Sequence, residues 1–279
     1  MEKFRDGVPN RLHHLRHKVS TRDYFGQIWE RRDFLIVVPR QDARARQMTT
    51  ALGQLWHLLN PALMIGVYYL IFGVLLAADR GIEHYVSFLT IGILMFQLVQ
   101  KTVVDAATAI PRHIGLIRTV QFPRALLPLS TTVEHLVTFV PAGVLLFVVT
   151  WMDGSPFRWQ MVLFPAIIVA TTVTFSGGAF VTARLGSFIP DMRELLPHLF
   201  RILLYASGVL FSIDNMIGNT TIRAILKANP IHLFLSLGRW SMLGMPITMT
   251  TILASLAWMF VLPVIGFIFF RAGEHTYGG

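Results

Sequence analysis

The sequence predicts an all-α integral membrane protein, and three features lead there. Six apolar runs along the 279 residues are long enough to cross a bilayer. Charged residues make up 14% of the chain, where a soluble domain carries about 25%; so small a share cannot coat a protein of this size in water. The 24 Lys and Arg outnumber the 15 Asp and Glu. They gather in segments flanking the runs, where basic residues set topology and meet anionic lipid, not nucleic acid. Cysteine is absent, which excludes a disulfide framework, thiolate catalysis and Cys-based metal sites.

Taken in order, the first sixty residues are polar and basic. Arg11, His13, His14, Arg16, His17 and Lys18 cluster there, without the apolar core of a cleavable signal. Within this segment YFGQIWERRDFLIVVPR (Tyr24–Arg40) pairs apolar residues with Arg31, Arg32 and Asp33 and stops at Pro39. It reads as an amphipathic helix lying in the interface, an ordinary soluble helix being the alternative. The six predicted spans are Ala62–Ala78, Tyr85–Val104, Leu126–Trp151, Trp159–Leu185, Leu195–Ile213 and Ile247–Phe270. The first is short, and the fifth holds His198 and Arg201. Residues 1–60 therefore form an N-terminal segment and 61–279 a transmembrane domain.

The N-terminal segment and the loop after span two hold most of the Lys and Arg, including Arg112, Arg118 and Arg124. The loops after spans one and three offer only Arg80 and Arg158. The positive-inside rule then puts both termini of a multi-pass plasma-membrane protein in the cytoplasm, with LIRTVQFPRALLP (Leu116–Pro128) on the same face. Between spans five and six, IRAILKANPIHLFLSLGRWSML is amphipathic and broken at Asn229–Pro230. Two short helices dipping back from the outer face suit it, because non-spanning backbone at that depth must be buried in protein or line a cavity.

Much chemistry is excluded. The lysines are Lys3, Lys18, Lys101 and Lys227; only Lys101 precedes a Thr, and Gln100 stands where a P-loop needs glycine. No HExxH or GxSxG occurs, and no metal or cofactor site is expected. Glu134 and His135 lie inside the third span, where ionisable groups are costly. A proton relay could use them, but one acidic residue makes a thin relay, so an interhelical bond or hydration near the interface is preferred. Asp79, Glu83 and His84 form a small cluster after span one, the only material for a membrane-embedded transferase. Tyr68, Tyr69, Phe72 and Phe88 in the first two spans could line a path and stack on sugar faces, although lipid-facing packing is the commoner fate of any one aromatic.

Together these stretches resemble the ABC-2-type polysaccharide export permeases, which export O-antigen, teichoic acid and related cell-wall glycans on lipid carriers. LGQLWHLLNPALMIGVYYLIFG (Leu52–Gly73) is similar to the family's first span, with Trp56, Leu58, Leu59 and Pro61 in place. Phe122, Pro123 and Arg124 resemble its "FPR" element, and IPDMRELLP (Ile189–Pro197) its short loop between spans four and five, though Asp191 and Arg193 stand where Arg-Asp is usual. Asn229, Pro230 and Arg239 match its Asn-Pro segment, and Arg271 and Glu274 its C-terminal Arg-x-x-Glu. The resemblance implies a homodimer with two separate ATP-binding subunits, so that ATP and Mg are held by the partner and none by this chain. It further implies a coupling helix over about 106–127, docking through Arg118, Phe122, Pro123 and Arg124. Gate helices over about 214–246 would close a channel for a lipid-linked polysaccharide such as O-antigen, teichoic acid or galactan. The rival within transport is an ABC-2 exporter of a drug or small lipid.

Overall fold

The computed structural model describes residues 21–35, 56–76, 82–274 and 277. The basic cluster Arg11–Lys18, Arg40, Leu52–Leu55, Asp79 and Arg80 lie outside the described residues. Among those described, α1 (Thr21–Glu30) precedes α2, an α-helix over Trp56–Tyr68 that continues as a π-helix over Tyr69–Leu75. Then come α3 (Tyr85–Ala106), the short α4 (Ala109–Arg112) and α5 (Ile114–Thr119), and α6 (Leu126–Met152). A 3-10 turn at Trp159–Leu163 opens α7 (Phe164–Phe188), followed by α8 (Met192–Ala206), α9 (Ile213–Met216), α10 (Thr220–Ala228), α11 (Pro230–Leu243) and α12 (Met249–Ala272).

Among the described residues, five stretches are long and apolar enough to cross a membrane: Leu58–Leu75, Tyr85–Ala106, Leu126–Met152, Trp159–Phe188 and Met249–Ala272. They match five of the six expected runs. The first of them lies in α2, described from Trp56 and carrying Pro61 inside the helix. The fifth run differs. Leu195–Ile213 reads as one apolar stretch, yet α8 ends at Ala206 after 15 residues, about 22 Å, too short to span alone. Gly208 then adopts φ +65°, a conformation that ends a helix, and Val209 and Leu210 continue fully buried but non-helical.

Helix α3 is the axis of the bundle. The share of its span buried inside the chain is 78%, against 11% for α2 and α12. It packs against α6, α7 and α11, with α2 and α8 on its flanks. Its N-terminus is held from a distance: the Ser87 amide and hydroxyl both donate to one Asp153 carboxylate oxygen, at 3.0 and 2.7 Å. A carboxylate there satisfies orphan amides and sits favourably at the positive end of the helix dipole. His84, at φ +56°, hydrogen-bonds the Asp153 carbonyl through Nδ1 at 2.8 Å and serves this cap, while Glu83 beside it is exposed.

Small residues let the remaining helices close. A Cβ on Gly266 of α12 would lie 2.1 Å from the Gly177 carbonyl oxygen of α7, and one on Gly177 would lie 2.2 Å from the Leu262 carbonyl. The two backbones therefore touch, as small residues permit at membrane helix crossings. Gly186 brings α7 equally close to the Ala107 carbonyl beyond α3. Replacing Gly266 by Val should cost at least about 3 kcal/mol through overpacking against backbone, seen as a lower melting temperature and loss of monodisperse gel filtration. Gly143→Ala, whose added methyl meets only the Phe139 ring at 3.6 Å, should leave both unchanged.

Candidate functional sites: a tied loop and a clamped helix end

At one end of the bundle the α5–α6 loop is tied to both chain ends described. Tyr24 of α1 donates to a Glu274 carboxylate oxygen at 2.7 Å, and the same oxygen accepts the Arg124 amide at 3.1 Å. The Ala125 amide donates to the Tyr24 hydroxyl at 3.2 Å, and the Arg124 side chain donates to the Glu274 carbonyl. Arg31 of the segment after α1 reaches the Gln121 carbonyl at 2.7 Å, and the Phe34 ring lies 5.2 Å from that of Phe122. Glu274 thus joins α1, the loop and the end of α12 in one buried knot. Burial, then the Glu274 carboxylate, pushes the Tyr24 phenol above its usual value of 10.0.

The loop residues divide accordingly. Pro123 is buried, and Phe122 and Arg124 are half-buried and turned toward α1 and Glu274. Arg118, Thr119, Val120 and Gln121 are exposed. Of the four residues singled out in the sequence, Arg118 faces outward while the other three fix the loop in place.

At the opposite end lies a second constellation. Where α8 breaks, four successive carbonyls leave the helical ladder, and side chains take each of them. His232 donates through Nδ1 to Ser207 O at 3.1 Å, and Arg239 donates through its two terminal nitrogens to Gly208 O and Val209 O, both at 2.9 Å. The Tyr85 hydroxyl donates to Leu210 O at 2.8 Å. Arg239 is 4% exposed, and its guanidinium carbon sits 3.4 Å above the centre of the Phe88 ring. Asn229 caps α11 by accepting the Ile231 amide at 3.0 Å and donates to the Ser207 hydroxyl at 2.9 Å; Pro230 occupies the first helical turn, where its missing N–H costs nothing. Gly92 leaves room: a Cβ there would lie 2.7 Å from Val209 O and 2.8 Å from the Arg239 guanidinium.

Above this clamp a cavity of about 720 Å³ opens between α9, α10, α11 and the start of α12, lined by Asp214, Lys227, His232, Ser236, Arg239 and Thr251 among others. Asp214 pairs with Lys227 at 2.5 Å and with Arg223 at 3.9 Å. Asn229, Pro230 and Arg239, predicted as one region, are brought together; the clamp's other side chains, Tyr85 and His232, carry no local signal in the sequence.

The aromatics separate into two groups. Tyr68, Tyr69 and Phe72 sit at the switch to π-helix, a feature found mostly at functional sites. Tyr69 is 41% exposed, and its ring lies against Gly73, where a Cβ would be 3.0 Å from it. Phe88 is 1% exposed and lies beneath Arg239, where it seats the clamp at the edge of the cavity. In the third expected span, His135 Nε2 lies 3.0 Å from an Asp105 carboxylate oxygen in the last turn of α3. That interhelical pair joins α6 to α3 through His135.

A family model described as "ABC-2 type transporter" matches residues 33–243. The chain belongs to this family. Similar proteins include the O-antigen export system permease protein RfbA of Myxococcus xanthus, 26% identical over 74% of this chain and 78% of the relative. The protein of the same name from Klebsiella pneumoniae is 25% identical over 65% and 70%, and the polysialic acid transport protein KpsM of Escherichia coli 24% over 63% and 69%. With five membrane-length apolar helices, this ABC-2 family member is a multi-pass membrane protein. The matched region holds the loop and the whole clamp, whereas Tyr24 and Glu274, which tie the loop down, lie outside it.

Three substitutions test these ties in this ABC-2 protein. Arg239→Ala strands at least two buried carbonyls and should destabilise the purified chain by about 2 kcal/mol or more, read as its melting temperature. Glu274→Gln should cost about 1–3 kcal/mol and free α1, read as faster proteolysis near Tyr24. Because the Tyr24 pKa is raised on folding, its contribution is fully present below pH 10.0 and is lost only as pH rises above that value. Tyr24→Phe should therefore weaken the protein equally at pH 6 and pH 8, checked by melting curves at both.

Proposed function

We propose that this chain is the transmembrane subunit of an ATP-driven exporter that moves a lipid-linked polysaccharide from the cytoplasmic to the outer face of the plasma membrane. The observation that carries this reading is the alignment of O-antigen and polysialic acid export permeases over 63% to 74% of the chain. The glycan belongs to the class of cell-wall and surface polymers that includes O-antigen, teichoic acid and galactan. The working unit is a homodimer with two ATP-binding subunits, which hold ATP and Mg; this chain itself is not an enzyme.

In this reading the knotted end is cytoplasmic, as the concentration of Lys and Arg there requires, and both termini lie on that side. Helix α1 is the amphipathic interfacial helix. The exposed ridge Arg118–Gln121 docks on the ATP-binding subunit, with Arg118 for its acidic groups, while Phe122, Pro123 and Arg124 make the loop rigid enough to transmit a push. The sixth crossing is made by α8 together with the buried segment 207–213. Helices α10 and α11 are the re-entrant gate, held shut over the channel by the clamp at Arg239. The aromatics Tyr68, Tyr69 and Phe72 line the glycan's path, where ring faces stack on sugar CH surfaces. Closure of the ATP-binding subunits rocks the two copies as rigid bodies, ATP supplying the differential affinity between states.

The alternative within the family is export of a drug or small lipid. A transferase is disfavoured because His84 is engaged at the α3 cap. The test is co-purification with a P-loop ATP-binding subunit, ATPase assay and export of a lipid-linked glycan in cells. Arg118→Glu should abolish co-purification while leaving the melting temperature of the isolated chain unchanged. Arg124→Glu should lower that temperature as well, because it sets a second carboxylate against Glu274. A chain that purifies without any ATP-binding partner and supports no glycan export would overturn the proposal.

A further inference from the structure

On the outer wall of the bundle, beside the Glu274 knot, lies an apolar groove of about 690 Å³ that the export reading leaves unused. Its floor is Leu129 of α6, Phe180 of α7 and Val264 and Phe267 of α12, and Ile28 of α1 closes one end. Arg271 is its one charged lining residue and stands in the last turn of α12. The groove is open to whatever the spans face: Val264 and Ile268 on its wall are 54% and 63% exposed.

We infer that the groove holds one anionic phospholipid, its acyl chain along Phe180, Val264 and Phe267 and its phosphate on Arg271. Three considerations select this occupant. The first is depth. Helix α12 has 24 residues, about 36 Å, against a hydrocarbon core of about 30 Å. Arg271 at its end therefore sits at headgroup level, and Val264, about 10 Å along the axis, sits among acyl chains. The second is charge, because a basic residue above an apolar slot between membrane helices matches an anionic headgroup above its tail. The third is size: the groove falls in the range of small-ligand sites, about 300–1,000 Å³, room for one acyl chain.

The bound lipid would fill the space between α1 and α12. Arg271 lies 5.1 Å from the Tyr24 ring centre, so the phosphate would sit beside the knot and brace α1 from the membrane side. The site is separate from the path along α2 and from the clamp, and its binding can be read without ATP, partner or glycan. Its failure is thus distinguishable from failure of the export reading.

The test is native mass spectrometry of the purified full chain in detergent, titrated with phosphatidylglycerol, phosphatidylcholine or a polyprenyl phosphate. One phosphatidylglycerol should be retained per chain in preference to phosphatidylcholine. Arg271→Gln should weaken that preference about fivefold, the effect of one basic residue at an anionic surface, and Arg271→Lys should largely keep it. Arg184→Gln, removing a cation outside the groove, should leave it intact. Val264→Trp, which fills the slot, should remove retention of both phospholipids at an unchanged melting temperature. A photocrosslinker at Ile268 in cells should label lipid. Equal retention of the two phospholipids, retention of the polyprenyl phosphate instead, no effect of Arg271→Gln, or crosslinking to a second protein chain would each overturn the inference.

Discussion

A buried guanidinium with nowhere else to go governs much of this structure. Arg239 is taken almost wholly out of water, which is tolerable only because two carbonyls and the face of Phe88 replace its hydration. Charge-assisted bonds of this kind contribute about 1.5–3 kcal/mol each, and a desolvated cation–π contact about 2 kcal/mol. The dependence runs both ways. Helix α8 can stop at Ala206 and release buried carbonyls only because Arg239, His232 and Tyr85 receive them. Lysine could not substitute, since a point charge lacks the planar fork that reaches two carbonyls at once.

The two constellations lie at opposite ends of the same helix. Tyr85, Phe88 and Gly92, in the first turns of α3, form the wall of the clamp. Its last turn carries Asp105, paired with His135, and runs directly into α4, α5 and the tied loop. Helix α3 has 22 residues, about 33 Å, and is the most enclosed span in the chain. The loop and the clamp are therefore joined by one packed rod and not by a flexible connection. Packed elements of this sort shift between discrete arrangements and do not deform continuously.

Much of the fold was legible in the sequence, because the bilayer imposes a length rule that five apolar helices obey. The fifth run misled for a definite reason. Val209, Leu210 and Ile213 are as apolar as any span, and hydropathy does not distinguish a helix from a buried non-helical strand of chain that side chains satisfy from elsewhere. Gly208 was the one local hint. The break at Asn229–Pro230 was readable because a cap residue before proline is a local signal. The ties at Glu274 were not, since they join residues separated by 150 and 250 positions. For the same reason Phe122 and Arg124 read as outward anchors, although their partners Phe34 and Glu274 draw them in. The contact of Gly177 with Gly266 was hidden too, because a small residue in an apolar run signals close approach only when its partner is known.

Arg239, with His232, Tyr85 and Asn229 beside it, keeps the broken end of α8 and the helix that follows Pro230 in one fixed arrangement. Hydrogen–deuterium exchange of the full chain, wild type against Arg239→Lys, tests it most directly. The account predicts faster exchange confined to residues 207–213 and 229–243, with α7 and α12 unchanged. Exchange that is unaltered in those segments, or accelerated uniformly through the bundle, would contradict it.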